Sequence, residues 1–229
     1  MTAQAFADAW EHARTIDGWL TEDQARVLHA EASAAEGTVV EIGSHLGRST
    51  VVLASAGTHV VAIDPFPDSW RYGRSDTADR FRTNLARAGV TDSVTLLQIS
   101  SHEALAGWGG RVALLYVDGK HDVVSCLRDL RWTRWLPSGA RFLVHDAFSS
   151  VGVTLAMLVI AFTARHSRYI GRTGSLALFE NEAPGLGDRA RLLAQLPWFV
   201  RNLTIKVLLR SRLTLVARLL GHDDTADPY

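Results

Sequence analysis

The stretch Val39 to Thr50, Val-Val-Glu-Ile-Gly-Ser-His-Leu-Gly-Arg-Ser-Thr, constrains this chain more than any other. It begins as a short apolar strand, breaks at a turn carrying Gly43 and Gly47, and continues into the helical pattern Ser49 to Ala54. A turn at the carboxyl end of a parallel strand must bend sharply and let a ligand meet backbone, which a Cβ would obstruct. Gly43 and Gly47 fit that need. The spacing is Glu-x-Gly-x-x-x-Gly rather than the Gly-x-Gly-x-x-Gly of dinucleotide turns, and an acid, Glu41, holds the first position. A second acid, Asp64, ends the next apolar run, His59 to Ile63, where its oxygens can accept both ribose hydroxyls of a nucleoside. On these residues alone, a tight turn that binds nothing is an equal reading.

Helical and strand patterns alternate along the rest of the chain. Met1 to Glu36 reads as helices broken at Asp17-Gly18-Trp19-Leu20, with Thr21-Glu22-Asp23-Gln24 as a capping signature. The segment Pro65 to Thr77 reads as a loop whose Trp70 and Arg71 can line an acceptor site, and Ala78 to Ala88 as a helix stopped by Gly89. Strands follow at Val94 to Ile99, Val112 to Val117 and Arg141 to Val144, with helices over Cys126 to Leu136 and Leu155 to Ala164. Arg168 to Ile170 and Ser175 to Phe179 form an antiparallel pair around Gly171 to Gly174. This order predicts an α/β fold: a Rossmann-like, doubly wound, mostly parallel sheet with a C-terminal antiparallel hairpin. One structural domain is expected, with N-terminal helices over 1–36, the core over 37–182 and a C-terminal helical arm and tail over 183–229.

In such a sheet the residues just past the strand carboxyl ends converge on one rim, which brings together Glu41, Asp64, Asp118, His145 and Asp146. Asp118, His145 and Asp146 can serve a hard divalent cation, to which the two acids offer oxygen ligands. The ordinary pKa of histidine, about 6.5, suits His145 to act as a general base. Ligation by His145 is the alternative, and His121 is a second candidate for metal, base or acceptor contact. Asp122 and Asp129 read instead as acids capping helices or binding backbone amides.

Two sets of residues carry a family resemblance. Glu41-Ile42-Gly43-Ser44 with Gly47-Arg48-Ser49-Thr50, followed by Asp64, resembles motif I and its successor in class I S-adenosylmethionine-dependent methyltransferases. Tyr116-Val117-Asp118-Gly119-Lys120-His121, Asp129-Leu130, Trp135-Leu136, Pro137-Ser138-Gly139 and Val144-His145-Asp146 resemble methyltransferase family 24. The resemblance implies that Glu41, Gly43, Ser44, Gly47, Ser49 and Asp118 line the cofactor site, with Asp64 at the ribose and Ser100 and Ser101 at the adenine. It also implies that Asp118, His145 and Asp146 hold a divalent cation of the Mg type. His145 departs from the pattern, since an acid is usual there, and this strengthens it as the base. The implied reaction is O-methylation of a sugar or oligosaccharide hydroxyl, a mannoside among the candidates, with a phenolic or natural-product acceptor as the alternative.

Composition limits the other classes. Lys plus Arg and Asp plus Glu stand at 24 each in 229 residues, which gives no hint of nucleic acid. The single cysteine, Cys126, excludes an internal disulfide framework and suits a cytoplasmic setting. The apolar run Val151 to Phe162 is short of the roughly 20 residues that span a bilayer, so no transmembrane segment is expected. From Arg189 to Gly221, seven basic residues interleave with leucines and valines and no acid interrupts them. An arm packed on its own domain or in a homodimer is the preferred reading over peripheral membrane contact. Two rivals remain. A nicotinamide-dependent oxidoreductase lacks its glycine fingerprint here, and a non-enzymatic membrane-surface scaffold leaves the rim acids without a purpose.

Overall fold

The computed structural model describes residues 3–67 and 73–222. Trp70 and Arg71 lie outside the described residues, as does the tail from Asp223. Seven strands form one sheet: β1 (Val39–Ile42), β2 (Val60–Ile63), β3 (Val94–Leu97), β4 (Leu114–Val117), β5 (Arg141–Val144), β6 (Arg168–Thr173) and β7 (Leu176–Glu180). Their order is β3-β2-β1-β4-β5-β7-β6, parallel except for β7, which runs antiparallel to both β5 and β6. The chain reverses direction across the sheet between β1 and β4, which places a crevice above their carboxyl ends.

Strands β1, β2 and β4 are buried along their whole length, which explains their almost unbroken Val, Ile and Leu. Side chains alternate between two cores. Val40, Ile42, Leu115, Val117, Phe142 and Val144 face one layer of helices, and Val39, Val60, Leu114, Tyr116 and Leu143 face the other. The second layer holds α1 (Ala3–Ala13), α2 (Glu22–Ala34), α3 (Arg48–Ala54) and α4 (Thr77–Arg87). Thr21 and Gln24 cap α2 reciprocally, as their spacing predicts. On the opposite face lie α5 (Ser101–Ala106), α6 (Val123–Asp129) and α7 (Val151–Thr163). The C-terminal segment forms α8 (Leu186–Leu193), α9 (Leu196–Arg210) and α10 (Thr214–Leu219).

Three elements differ from expectation. Helix α7 begins four residues early, at Val151, where Gly152 packs so tightly that a Cβ would lie 2.1 Å from the His121 carbonyl oxygen. The helix expected over Cys126 to Leu136 tightens at Leu130 into a 3₁₀ turn to Trp135, which lets the Trp132 indole donate to the Ser101 carbonyl at 3.2 Å. The closing hairpin turns at Gly174, φ +55°, so β6 runs through Gly171.

Gly43 is the tightest point of the core sheet. Its φ is +87°, and a Cβ there would sit 2.1 Å from the Asp118 carbonyl oxygen, a backbone atom that cannot step aside. Gly57 has a similar φ of +82° with nothing within 4 Å. Gly57→Ala is therefore expected to cost about 1 kcal/mol of backbone strain, and Gly43→Ala at least 2–3 kcal/mol more through the clash. Urea unfolding of both variants measures the difference, and equal losses would show that β1 and β4 have room to separate.

Candidate active site

Pairing of β1 with β2 and β4 lines up the loops that follow them. The Gly43 amide donates to the Ile63 carbonyl at 2.9 Å and the Asp118 amide to the Ile42 carbonyl at 2.8 Å. Asp64 then ties the glycine turn to the end of β2. Its Oδ2 accepts the Ser44 and His45 amides at 3.0 and 2.8 Å, and its Oδ1 accepts the Phe66 amide at 2.7 Å. Gly47, φ +88°, opens α3 directly after the turn.

Beneath the turn Glu41 is fully buried, with Oε2 accepting the Thr50 hydroxyl at 2.5 Å. Burial pushes its pKa up to about 7, against the hydroxyls of Ser49 and Thr50. Glu41 Oε1 and the Ser44 hydroxyl are buried without a hydrogen-bond partner. Orphaned polar atoms below a glycine turn suit a ligand with amine and carboxylate groups, such as the methionine end of a nucleoside cofactor.

The serines after β3 are already engaged. Ser100 caps α5 reciprocally with Glu103, and the Ser101 hydroxyl donates to Asp129 Oδ1. Asp122 caps α6 through the Ser125 amide at 2.9 Å, as expected. Asp129, expected to cap as well, instead lies buried at the far end of α6, where Gly119 approaches its Oδ2 so closely that a Cβ would come within 2.6 Å. Burial raises its pKa to about 6, outweighing the Ser101 hydrogen bond. Asp129 therefore joins the loops after β3 and β4.

The ligating atoms of Asp118, His145 and Asp146 lie within 4.8 Å of one another, as the rim argument predicts. His145 is 4% exposed and sits between two sets of acceptors. Its Nδ1 is 3.3 Å from Asp118 Oδ1 and 3.6 Å from Asp146 Oδ2, and its Nε2 is 3.3 Å from Gln24 Oε1. Oxygens at both ring nitrogens favour the imidazolium. Burial opposes that charge, yet Asp118 and Asp146 outweigh it and raise the His145 pKa well above the ordinary value. Burial works against both carboxylates too, but His145 and His121 keep Asp118 and Asp146 low. His121 completes the group, with Nε2 3.0 Å from Asp146 Oδ2. Its side chain is 47% exposed. Two carboxylates and an imidazole supply the hard oxygens and the one nitrogen that a divalent cation accepts.

The loop that carries this group is strained and externally held. Asp146 and Phe148 have φ of +54° and +58°, a conformation costly for residues with a Cβ. The Ser149 hydroxyl donates to Asp146 Oδ1 at 2.8 Å, and the Thr154 hydroxyl accepts the Phe148 amide at 3.0 Å. Two further contacts come from α9: Asn202, fully buried, donates to the Phe148 carbonyl at 3.0 Å and Lys206 to the Ser149 carbonyl at 2.5 Å. Sequence reasoning missed both residues. The available signal was an asparagine inside an otherwise apolar and basic helix.

Beside the turn, a cleft of about 390 Å³ is lined by Asp17, Trp19, His45, Arg74, Thr77 and Arg80 among others. Trp19 stacks on His45 with ring centroids 5.9 Å apart. Trp70 and Arg71, expected to line an acceptor site, lie outside the described residues; Trp19, Arg74 and Arg80 give this cleft an aromatic face flanked by arginines.

Residues 40–147 match the family described as a methyltransferase domain. Cofactor-bound Rv0187 from MTB has a similar structure, with 22% identity, a TM-score of 0.60 and coverage of 80% of this chain and 91% of that one. The O-methyltransferase TomG from Streptomyces achromogenes, involved in tomaymycin synthesis and solved with S-adenosylmethionine, is 19% identical with a TM-score of 0.59, covering 80% and 92%. An O-methyltransferase from Bacillus cereus, solved with S-adenosylhomocysteine, is 16% identical with a TM-score of 0.56, covering 79% and 92%. At these identities the structures establish the shared fold.

Two outcomes follow from the buried partners. Asn202→Ala leaves the Phe148 carbonyl unpaired and should cost about 1–3 kcal/mol in urea unfolding; no loss would mean the loop holds its own shape. For Asp129 the folded pKa is raised, so between the unfolded value of 3.8 and about 6 the native state keeps a proton that the unfolded chain has lost. Stability is then greatest below that window and falls as pH rises through it. Asp129→Asn does not titrate, so relative to wild type it should gain on the order of 2 kcal/mol between pH 4.5 and 7.5. An unchanged difference would refute the raised pKa.

Proposed function

We propose that the protein, an S-adenosylmethionine-dependent methyltransferase, transfers the cofactor's methyl group to a hydroxyl of a sugar or oligosaccharide, a mannoside among them, with a divalent cation assisting. The observation that carries this reading is the Asp118, His145 and Asp146 group standing directly beside the glycine turn, because β1 and β4 are neighbours. Gly43, Ser44, Gly47 and Ser49 cradle the methionine part above buried Glu41, Asp64 takes the ribose, and the Ser100–Ser101 end of β3 flanks the adenine.

A cation bound by Asp118, Asp146 and the His145 imidazole would supply positive charge that orients the acceptor hydroxyl and lowers its pKa. The hydroxyl oxygen attacks the methyl carbon in line, the carbon–sulfur bond breaks, and S-adenosylhomocysteine leaves. As the alternative to ligating a cation, a neutral His145 would take the hydroxyl proton and Asp118 and Asp146 would stabilise the imidazolium so formed; their charge raises its pKa well above the ordinary value, so this role requires a pH at which the ring has lost its proton. His121, half-exposed on Asp146, is the alternative base.

A sugar acceptor is supported by the cleft beside the turn. Trp19 is 41% exposed and offers an apolar face to a sugar ring, while Asp17, Arg74 and Arg80 offer partners for hydroxyls. A phenolic or natural-product acceptor is the second reading, favoured by the likeness to TomG, which belongs to tomaymycin synthesis.

Calorimetry with S-adenosylhomocysteine, with Mg²⁺ or EDTA, tests the cofactor first. Micromolar binding, about −8 kcal/mol, should be lost in Asp64→Ala and nearly kept in His145→Ala. His145→Ala should also abolish methylation of hydroxylated acceptors. Equal loss of binding and turnover would remove His145 from the chemistry, loss of turnover in His121→Ala alone would make His121 the base, and no binding by wild type would sink the proposal.

A further inference from the structure

The C-terminal segment presents an apolar face that the methyltransferase site does not use. Val200 and Val207 of α9 are 60% and 64% exposed, and Leu215 and Leu219 of α10 reach 72% and 86%. Leu213 and Val216 are exposed beside them. This face is ordered, not frayed. Arg201 donates to the Leu220 and Gly221 carbonyls at 2.7 and 2.9 Å, which folds α10 back on α9, and Ala217 is fully buried between them.

The same segment carries a segregated charge. Arg189 to Gly221 holds seven of the 24 basic residues and no acid, leaving 17 basic residues against 24 acids elsewhere. Arg210 and Arg212 are exposed at the turn between α9 and α10, next to the leucines. A symmetric pair of chains would set one positive face against another, and pairing it with the acidic remainder would give a head-to-tail contact that does not close. An anionic surface of indefinite extent has neither problem.

We propose that the α9–α10 hairpin docks on an anionic phospholipid surface, leucines inserted among the acyl chains and arginines at the headgroups. Among the described residues α8 and α9 together, Leu186–Arg210, are also long and apolar enough to cross a membrane, with a mean hydropathy of 1.2. Their inner side is tied to the domain, through Arg191 to the Tyr169 carbonyl, Arg172 to Gln195, and Asn202 and Lys206 to the loop after β5. The hairpin therefore lies on the bilayer rather than through it.

Sedimentation with vesicles of phosphatidylcholine alone or mixed with phosphatidylglycerol tests this on the full chain, alongside light scattering for oligomeric state. Wild type should bind only the mixed vesicles, less tightly as salt rises. Arg210→Glu and the pair Leu215→Ser/Leu219→Ser should each weaken binding on the order of tenfold. Circular dichroism and S-adenosylhomocysteine binding, both expected unchanged, separate lost docking from lost folding. Absence of binding at low salt, equal binding to neutral vesicles, or a dimer that the leucine pair dissociates without any lipid binding would each overturn the proposal.

Discussion

The closeness of Gly43 to the Asp118 carbonyl is the constraint on which the rest of the site depends. Parallel pairing of β1 with β4 sets the register Ile42 to Val117, and the next residue on each strand must leave the sheet at the same height. With a side chain at Gly43 the two chain ends would splay. Without one, the glycine turn and the acidic rim share a wall, and a group bound on the turn lies beside whatever Asp118 holds. Asp64 fixes the other side by taking the two amides that follow Gly43. The glycine turn and the acidic rim are thus joined by backbone packing.

Charge on the rim is balanced locally. Two carboxylates withdrawn from water would cost several kcal/mol each if unpaired. His145 and His121 stand where that cost is offset, one buried between the acids and one at the edge of solvent. Attraction outweighs desolvation because His145 meets two acids, not one, and Gln24 accepts from its second nitrogen. Such a site has two ways to neutralise its acids, imidazolium or metal cation, and both use the same oxygens. That competition connects the base to the metal in the proposed reaction.

The strands, the sheet class and the residues of the rim were legible because their signals are local. Apolar runs of four to six residues mark buried strands, and a residue that follows such a run must lie at the carboxyl rim whatever the rest of the chain does. Burial and partner choice were not legible, since they depend on residues far apart in sequence. Gln24 meets His145 across 121 residues, Ser101 meets Asp129 across 28, and Asn202 meets Phe148 across 54. Nothing near Asp129 reveals that Ser101 will claim it, so its reading as a helix cap or an acceptor of backbone amides names a structural acid but not this partner. The early start of α7 has the same origin, in the contact of Gly152 with the His121 loop.

Helix α9 shows what amphipathic reasoning leaves out at the C-terminus. An ordinary surface helix turns its apolar stripe inward, and periodicity then reveals the buried side. Here Asn202 and Lys206, drawn in by the carbonyls of Phe148 and Ser149, share the inward side with buried Ile205 and with Trp198 and Phe199, while Val200 and Val207 face out. The polar share of that side has a physical reason. The loop from His145 to Ser150 bends through two left-handed residues, and its Phe148 and Ser149 carbonyls take their donors from α9, since buried carbonyls demand donors rather than leucines. Polar residues on the inner side leave much of the helix's apolar content on the outer side. The exposed face of the arm therefore accompanies the polar contacts by which α9 holds the loop after β5.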